Sequence, residues 1–392
     1  MSAPPPTDAA REETEADSNA RADEGGDPGP CAVPRTQLVH SEYLELNADC
    51  AEFCPTPGLT HLLALGTYQL VEETQERVGR CYLRALRGPW PGCGVGPASG
   101  EGAAGGGSSV SVGASCCVDL PGIFDLKWRP AGEEAGGSGG RESRGLAVLG
   151  AALADGTVRL LEAMAVSGGG ITLLSEWEAH SLEVWCTAFH RAERHLLFSG
   201  ADDCYFKAYD TRSDPASPVF SDRRTHAAGV CTVSPHPGQP HLVATGSYDE
   251  HVRLWDMRNL SRPVVVSQLN TGGGNWRLRW HPHDPHVLLA ACMYNGFAVL
   301  RASADWAQLD NVVAYARPNK AIAYGADWWR GPAPPPVAPA PPAAAADDAP
   351  GACTLGAGDC GRRDGDGASW LAATCSFYDR QHTLVWLPTR SA

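Results

Sequence analysis

Several expected turns of the chain combine acidic and aromatic side chains, the residue types that bind organic cations. The most prominent contain Asp202 with Asp203, Tyr248 with Asp249 and Glu250, and Tyr378 with Asp379. Trp185 and Trp276 lie at equivalent positions of two expected strands nearby. A desolvated aromatic ring attracts a quaternary ammonium group by about 1 kcal/mol or more. These residues predict a cation site if the fold brings them together, whereas tyrosines that only pack and carboxylates that only hold turns are the alternative.

Residues 246–258 indicate how such turns are positioned. Val252 and Leu254 alternate with more polar neighbours at the two-residue period of a β-strand. The apolar run at 242–245 supplies a partner strand, and the residues between the two form a tight turn. The segment therefore predicts a β-hairpin with acidic and aromatic residues at its tip.

The same repeat contains four polar groups that each need a partner when they are buried. Their spacing predicts a hydrogen-bond relay formed by His226, Thr245, Asp249 and the indole N–H of Trp255. A related set in the preceding repeat consists of His180, Ser199 and Asp203, with Tyr209 at the position of the tryptophan. The pattern is typical of WD-repeat β-propellers, whose repeats are roughly 40 to 45 residues long.

Six such repeats can be identified along the chain, so we expect an all-β WD-repeat β-propeller with six or seven blades. The segment 111–120 is expected to supply an outer strand, and 36–46 a separate strand that completes the last blade. Residues 1–34 are expected to form a disordered acidic tail, and 35–392 the propeller. Low-complexity insertions rich in Gly, Ala or Pro are expected at about 88–109, 131–143 and 331–367.

Charge and composition exclude some partners. The net charge is −14, which argues against nucleic acid or an anionic membrane as the main partner. No run of about 18 apolar residues is found, and the first residues do not read as a signal peptide. We therefore expect a soluble, cytoplasmic protein whose 14 cysteines are reduced thiols.

Common catalytic and metal motifs are absent from the sequence. There is no G-x-S-x-G, no phosphate-binding G-x-x-x-x-G-K-[ST] loop, no G-x-G-x-x-G after a strand and no H-E-x-x-H. The cysteines do not form paired C-x-x-C motifs, and the histidines at 281, 283 and 286 are interpreted as a propeller loop. We therefore expect neither a metal nor a cofactor, and any catalytic set must come from separate blades.

Several segments in this order are more specific than the general WD pattern. They are GIFDLKW at 122–128, HSLEVW at 180–185, SGADD at 199–203, GSYDE at 246–250, GGGNWR at 272–277, YGADW at 324–328 and ATCSFYD at 373–379. Together with CP at 54–55, the segment 61–70, WHP at 280–282 and the segment 288–293, they resemble the diphthine methyl esterase family, the WD-repeat proteins of diphthamide biosynthesis. The resemblance extends from about residue 36 to residue 387, outside the insertions.

The resemblance implies a hydrolase that removes a methyl ester from methylated diphthine on translation elongation factor 2, before a final ATP-dependent amidation. Diphthine is a modified histidine with a trimethylammonium group, which suits an acidic and aromatic site. Ester hydrolysis needs a base and donors for the oxyanion. We therefore assign His180 or Glu250 as the base and Tyr248 as a catalytic or cage residue. The expected substrate-binding residues are Asp202, Trp185, Trp276, Tyr378 and Asp379.

Other functions remain open at this point. Residues 255–258 form a W-D-x-R box, and 209–212 a near match, of the kind seen in substrate receptors of cullin-RING ubiquitin ligases. A non-catalytic assembly scaffold is a further alternative. Partners expected from the resemblance are elongation factor 2 as the protein substrate and other enzymes of the diphthamide pathway.

Overall fold

The structure is a computed structural model that describes residues 43–87, 111–131, 146–164, 170–214, 217–315, 322–328, 369–376 and 382–388. The chain divides into two units, Met1–Val39 and His40–Ala392. The first unit lies outside the described residues, so all that follows concerns the second.

The described residues form 24 β-strands in six antiparallel sheets. The first sheet consists of β1 (Ala48–Phe53), β2 (Leu62–Thr67), β3 (Gln69–Val71), β4 (Glu76–Arg87) and β5 (Ser111–Pro121). The second consists of β6 (Ile123–Trp128), β7 (Leu146–Leu153), β8 (Thr157–Met164) and β9 (Ile171–Glu178). The third consists of β10 (Val184–Phe189), β11 (Leu196–Ala201), β12 (Phe206–Asp210) and β13 (Phe220–Asp222).

The remaining three sheets follow the same order. The fourth consists of β14 (Val230–Pro235), β15 (Leu242–Ser247), β16 (His251–Asp256) and β17 (Val264–Asn270). The fifth consists of β18 (Arg277–Trp280), β19 (Val287–Ala291), β20 (Phe297–Ala302) and β21 (Leu309–Tyr315). The sixth consists of β22 (Ala323–Trp328), β23 (Ser369–Ser376) and β24 (His382–Pro388).

The first strands of the sheets, which we call the inner strands, pack against one another in chain order: β1 with β6, then β10, β14, β18 and β22. Arg277 at the start of β18 also interacts electrostatically with Asp125 on β6, although two sheets lie between them along the chain. The inner strands therefore surround a common axis, as they do in a WD-repeat β-propeller, and the predicted fold class is confirmed.

The core lies between neighbouring sheets. The second strands β11, β15 and β19 are buried at every residue, which explains their continuous apolar runs. In one intersheet cluster, the rings of Phe206 and Trp255 pack with centroids 5.4 Å apart. Burial of both faces, rather than of one, holds each sheet against its two neighbours.

Three tryptophans link neighbouring inner strands by hydrogen bonds that the sequence did not predict. The indole of Trp128 donates to the carbonyl oxygen of Glu52 at 2.9 Å, and Trp280 donates to Ser234 at 3.0 Å. Trp328 donates to Arg279 at 3.0 Å. Each tryptophan ends an inner strand and binds the inner strand of the preceding sheet, which fixes the spacing between the two sheets.

The six predicted repeats correspond to the six sheets, and β5 confirms the outer strand predicted at 111–120. Only residues 43–46 of the separate strand predicted at 36–46 are described, and they are not a strand. The acidic tail lies outside the described residues, as do nearly all residues of the three insertions. None of the described residues belongs to a helix that could cross a membrane.

The predicted relay of the fourth sheet forms only in part. Thr245 Oγ1 lies 3.0 Å from His226 Nε2 and accepts the Trp255 indole N–H at 2.9 Å. Asp249 does not bind His226, because its carboxylate pairs with Arg253 at 2.9 Å and accepts the backbone N–H of Ala227. The predicted contact between Asp249 and His226 is therefore absent, and the prediction of a four-member relay was wrong at this contact.

The corresponding set of the third sheet joins all three predicted residues. His180 lies 2.7 Å from Ser199 Oγ and 3.0 Å from the Asp203 carboxylate. Lys207 stands where the fourth sheet has Arg253, and it donates to the carbonyl oxygen of Ala179 instead. Because Lys207 does not pair with the Asp203 carboxylate, this carboxylate can bind His180. Tyr209 also donates to Ala179, at 2.9 Å.

Candidate active site

The register between the inner and second strands shifts at the same point in five of the six sheets. The residues at these β-bulges are Asp49, Phe124, Trp185, Cys231 and Tyr324. In the fifth sheet, Trp276 directly precedes β18, and its backbone N–H donates to Ala291 at 2.9 Å. Bulges redirect side chains and are frequent beside active sites. Each sheet therefore presents one such side chain at the end of the propeller that also carries the predicted turns.

Four of the aromatic side chains at this end form a cluster that we call the aromatic rim, which consists of Trp185, Tyr248, Trp276 and Tyr324. The ring centroids of Trp185 and Tyr248 are 4.9 Å apart, and both lie 5.9 Å from that of Trp276. Tyr324 extends the cluster, with its ring 4.8 Å from Trp276. Tyr248 is 37% exposed, so the rim is open to a ligand.

A glycine makes part of this packing possible. A β-carbon at Gly274 would lie 2.9 Å from both the Tyr248 ring and the Met293 sulfur. In addition, the buried indole N–H of Trp276 has no hydrogen-bond partner among the described residues. A buried donor without an acceptor is costly, and such groups often mark a place where a ligand binds.

Two carboxylates lie beside Trp185. A β-carbon built on Gly229 would be 2.5 Å from the Trp185 ring and 3.0 Å from Asp202 Oδ1, so the ring and this carboxylate are neighbours. Partial burial, followed by repulsion from Glu183, raises the pKa of Asp202. Glu183 pairs with Arg77 at 2.8 Å. Burial and Glu183 destabilise the ionised form of Asp202, and a cation bound at the rim would stabilise it.

A third carboxylate, Asp49, lies on the opposite flank of the rim. Burial raises the pKa of Asp49 to about 6, although Arg277 acts to lower it. Burial lowers the pKa of Arg277, but Asp125 and Asp49 outweigh that effect and raise it. Burial and the charge of Asp49 raise the pKa of Tyr324. These shifts place Asp49, Arg277 and Tyr324 in one electrostatic cluster.

A paired charge network lies one to three residues further along the inner strands. Lys127 forms ion pairs with Asp125 at 2.7 Å and with Glu52 at 2.6 Å. Although burial opposes it, Lys127 lowers the pKa of Asp125, and this carboxylate also accepts the backbone N–H of Thr187. Lys127 balances the charge of only one of these two carboxylates, and Asp125 also interacts with Arg277, so the network supports the strands and is electrostatically coupled to the Asp49 cluster.

A cavity of about 480 Å³ lies at the other end of the third and fourth sheets, lined in part by His190, His241 and Leu260. Met257 and Arg258 of the W-D-x-R box line it, and Asp210 and Arg212 of the near match line an adjoining pocket that shares Leu260. In both boxes the arginine pairs with the aspartate of the same box, Arg258 with Asp256 and Arg212 with Asp210. This cavity contains none of the rim residues, so we place the candidate site at the rim.

The structure brings together three of the residues predicted from the sequence, Trp185, Tyr248 and Trp276, and places Asp202 next to them. Glu250 is exposed on the same turn as Tyr248 but points toward Asn270, whose amide lies 3.4 Å from its carboxylate. The His180 side chain is fully buried between Ser199 and Asp203. Tyr378 and Asp379 lie outside the described residues.

Sequence reasoning missed Asp49, Arg277 and Tyr324. Their signal lies in the alignment of the inner strands, because Asp49 and Tyr324 occupy the bulge position of Trp185 and Arg277 follows Trp276. The alignment of Trp185 with Trp276, continued into the first and sixth repeats, leads to Asp49 and Tyr324.

Comparison with known proteins agrees with this architecture. The family described as WD domain, G-beta repeat matches residues 171–210 and 218–256, which extend from the last strand of the second sheet to the third strand of the fourth. The E3 ubiquitin-protein ligase COP1 of Arabidopsis thaliana is 39% identical over 93 residues, which is 24% of this chain and 13% of that protein. This similarity is confined to a short part of the WD-repeat region.

Two relatives match most of the chain. The diphthine methyltransferase of Mus musculus is 34% identical over 362 residues, which cover 74% of this chain and 69% of the relative. The diphthine methyltransferase of Homo sapiens is 29% identical over 360 residues, 72% of this chain and 73% of the relative. Similarity over nearly three quarters of the chain is not explained by single WD repeats, and the chain therefore belongs to the diphthine methyltransferase family.

Proposed function

We propose that the chain hydrolyses the methyl ester of methylated diphthine on translation elongation factor 2. Its family acts on diphthine, so the chain is an enzyme of diphthamide biosynthesis. The relatives are named methyltransferases; in the proposed reaction the acyl group passes to water, and the methyl group leaves as methanol. The carboxylate that results is then available for the last amidation of the pathway.

The observation that carries this proposal is the aromatic rim. A trimethylammonium group has no N–H to donate, so it is bound by aromatic faces and by carboxylates at short range. Trp185, Tyr248 and Trp276 offer three rings with centroids 4.9 to 5.9 Å apart. Asp202 adds a negative charge that is already partly desolvated. This arrangement supports recognition of the quaternary ammonium of diphthine.

Exposed apolar side chains on neighbouring turns suit a protein substrate. Tyr294 is 75% exposed on the turn between β19 and β20, and Leu182 is 47% exposed just before β10. Both turns lie at the same end of the sheets as Tyr248. A partner that covers Tyr294 and Leu182 would present its modified histidine to the rim.

The direct test is methanol release from elongation factor 2 that carries methylated diphthine. We expect the purified chain to release methanol and to leave a product lighter by one methylene group, measured by mass spectrometry. A factor that binds but keeps its ester would contradict the proposal and favour the ubiquitin-ligase receptor or scaffold.

A rim variant tests the proposed binding role. Trp276→Leu removes the central ring of the rim, and loss of a cation–π contact of about 1 to 2 kcal/mol predicts an increase in KM of about 10-fold. Trp306→Leu changes the same residue type in the same sheet, away from the rim, and serves as the matched control. An unchanged KM in Trp276→Leu would remove this ring from the binding site.

A further inference from the structure

The β-bulges bring Asp49 close to the rim from the first sheet. Asp49 and Tyr324 occupy equivalent bulges of β1 and β22, and Tyr324 interacts electrostatically with Asp49. The Tyr324 ring also packs 4.8 Å from Trp276. Tyr324 therefore joins the aromatic rim to a carboxylate that belongs to the opposite end of the chain.

Asp49 is half-buried and differs from three other carboxylates of this end. Asp125 is paired with Lys127, Asp203 with His180 and Asp249 with Arg253, and in all three these contacts lower the pKa against the effect of burial. No described residue forms a hydrogen bond with the Asp49 carboxylate, and its pKa is raised to about 6. A carboxylate with these properties is ionised at neutral pH and free to accept a proton.

Arg277 supplies a positive charge at the same place. The described residues provide no hydrogen bond to its guanidinium group, although Asp125 and Asp49 lie close enough to raise its pKa. It directly follows Trp276, whose indole N–H also has no acceptor among the described residues. Donors that are already in place for a developing negative charge are what an oxyanion site requires.

From this geometry we infer that Asp49 is the general base of the ester hydrolysis and that Arg277, with the Tyr324 hydroxyl, binds the ester carbonyl oxygen. The inference rests on the proposed function and adds catalytic residues to it. It places the hydrolytic centre between the first, fifth and sixth sheets, directly beside the rim.

The chemistry of the substrate requires such proximity. In diphthine the trimethylammonium group and the carboxyl group share one carbon atom, so a site that holds the cation must hold the ester next to it. Tyr324 meets this requirement, because it contacts Trp276 on one side and interacts with Asp49 and Arg277 on the other. The neighbouring ammonium group also makes the ester carbonyl more electrophilic.

The reaction is balanced without a cofactor. The Asp49 carboxylate takes a proton from water as the water oxygen bonds to the ester carbon, and Arg277 stabilises the negative charge on the carbonyl oxygen. When the tetrahedral intermediate collapses, the bond from carbon to methoxy oxygen breaks, and the proton on Asp49 passes to this oxygen. The products are methanol and a carboxylic acid, which ionises and releases one proton.

The pH profile of Asp49 variants tests the inference. For the wild type we expect kcat/KM to rise with pH through about 6 and then to level off, because the base must be deprotonated. Asp49→Asn should lower kcat by about 100-fold or more and lose this rise, while KM changes little. Asp49→Glu should restore part of the activity together with a pH-dependent rise. The matched control is Asp310→Asn, an exposed carboxylate on β21, which should behave like the wild type.

A binding measurement shows that the variant is folded. Trimethylglycine carries an ammonium and a carboxylate on one carbon, and Asp49→Asn should bind it at least as tightly as the wild type in calorimetry, because a like charge is removed. If the wild type releases methanol and Asp49→Asn keeps its kcat and its pH profile, the inference is overturned while the proposed function stands. If the wild type itself releases no methanol, the proposed function fails first.

Discussion

Gly229 shows how one residue sets the shape of the rim. Its carbonyl oxygen accepts the backbone N–H of Tyr248 at 3.0 Å, so it positions the turn that carries this ring. Its missing side chain leaves the space that the Trp185 ring occupies, 2.5 Å from where a β-carbon would be. Gly229 therefore positions the turn of Tyr248 and leaves room for the Trp185 ring.

Replacing this glycine should disturb substrate binding. Gly229→Ala would place a methyl group against the Trp185 ring and the Asp202 carboxylate, so the ring must move. We expect KM to rise by about 3- to 10-fold, as expected for partial loss of one cation–π contact. Steady-state kinetics would measure this, and a change in tryptophan fluorescence would report the displaced ring.

Gly238→Ala is the matched control, because the nearest atom to a new β-carbon there is 3.7 Å away. An unchanged KM in Gly229→Ala, with an altered fluorescence spectrum, would mean that the Trp185 ring does not contribute to binding.

At the residue scale, the sequence pointed to the aromatic residues of the candidate site and missed the residues proposed for hydrolysis. Trp185 and Trp276 could be found because tryptophans at equivalent strand positions are conspicuous. Asp49 was harder to find, since only the alignment of its strand with the other inner strands distinguishes it from the exposed acids of the chain. What makes it distinct is burial beside Arg277, which depends on how the first and fifth sheets meet.

At the scale of elements, the relay of the third sheet has a structural role in the fold. His180 binds Ser199 and Asp203, and the Asp203 carboxylate also accepts the backbone N–H groups of Ser181 and Tyr205. The relay thus connects the segment before β10 to the turn after β11. This turn carries Asp202, so the relay positions a rim carboxylate indirectly.

Removing the serine hydroxyl should therefore affect stability more than turnover. Ser199→Ala leaves the buried Nε2 of His180 without its partner, which costs about 1 to 3 kcal/mol in the free energy of unfolding. We expect kcat to stay within about 2-fold of the wild type. Urea denaturation and steady-state kinetics measure the two effects separately.

Ser221→Ala, an exposed serine on β13 of the same sheet, is the control for that change. A large fall in kcat for Ser199→Ala at unchanged stability would contradict the structural role. It would return His180 to the catalytic role that the sequence first suggested.

The strands themselves were largely predictable. Alternating apolar residues and hairpin turns such as Asp155 with Gly156 specify local structure, and the six repeats follow from them. The links between sheets were not predictable, because the bond from Trp128 to Glu52 joins residues 76 positions apart. The missing contact between His226 and Asp249 was also not predictable, because it depends on one residue type. The fourth sheet has Arg253, which pairs with Asp249, where the third sheet has Lys207, which binds a carbonyl oxygen instead.

At the scale of the whole molecule, a set of buried neutral histidines recurs from sheet to sheet. His190, His236 and His281 directly follow the inner strands of the third, fourth and fifth sheets, and each accepts two backbone N–H groups at Nδ1. Burial lowers the pKa of all three, to about 4 for His281. The pKa of His226 is also lowered to about 4, by burial and then by Arg253.

These histidines should make the propeller sensitive to acid. An unfolded histidine binds a proton near pH 6.5, whereas His226 and His281 resist protonation until about pH 4 in the folded chain. Between these values protonation favours the unfolded state, so the free energy of unfolding should fall as the pH decreases. Each of the two contributes a loss of about 3 kcal/mol when the decrease is complete.

Urea denaturation at pH 7 and at pH 5, followed by tryptophan fluorescence, would measure about 2 kcal/mol of this loss for each of the two histidines. His281→Asn keeps an oxygen that can accept the backbone N–H groups of His283 and Asp284 but removes the titrating ring, so the difference between the two pH values should shrink. His61→Asn changes a histidine of the first sheet that is outside this set and should leave the difference as in the wild type. An equal difference in wild type and His281→Asn would show that His281 does not govern the acid sensitivity, and the loss would then have to come from other groups.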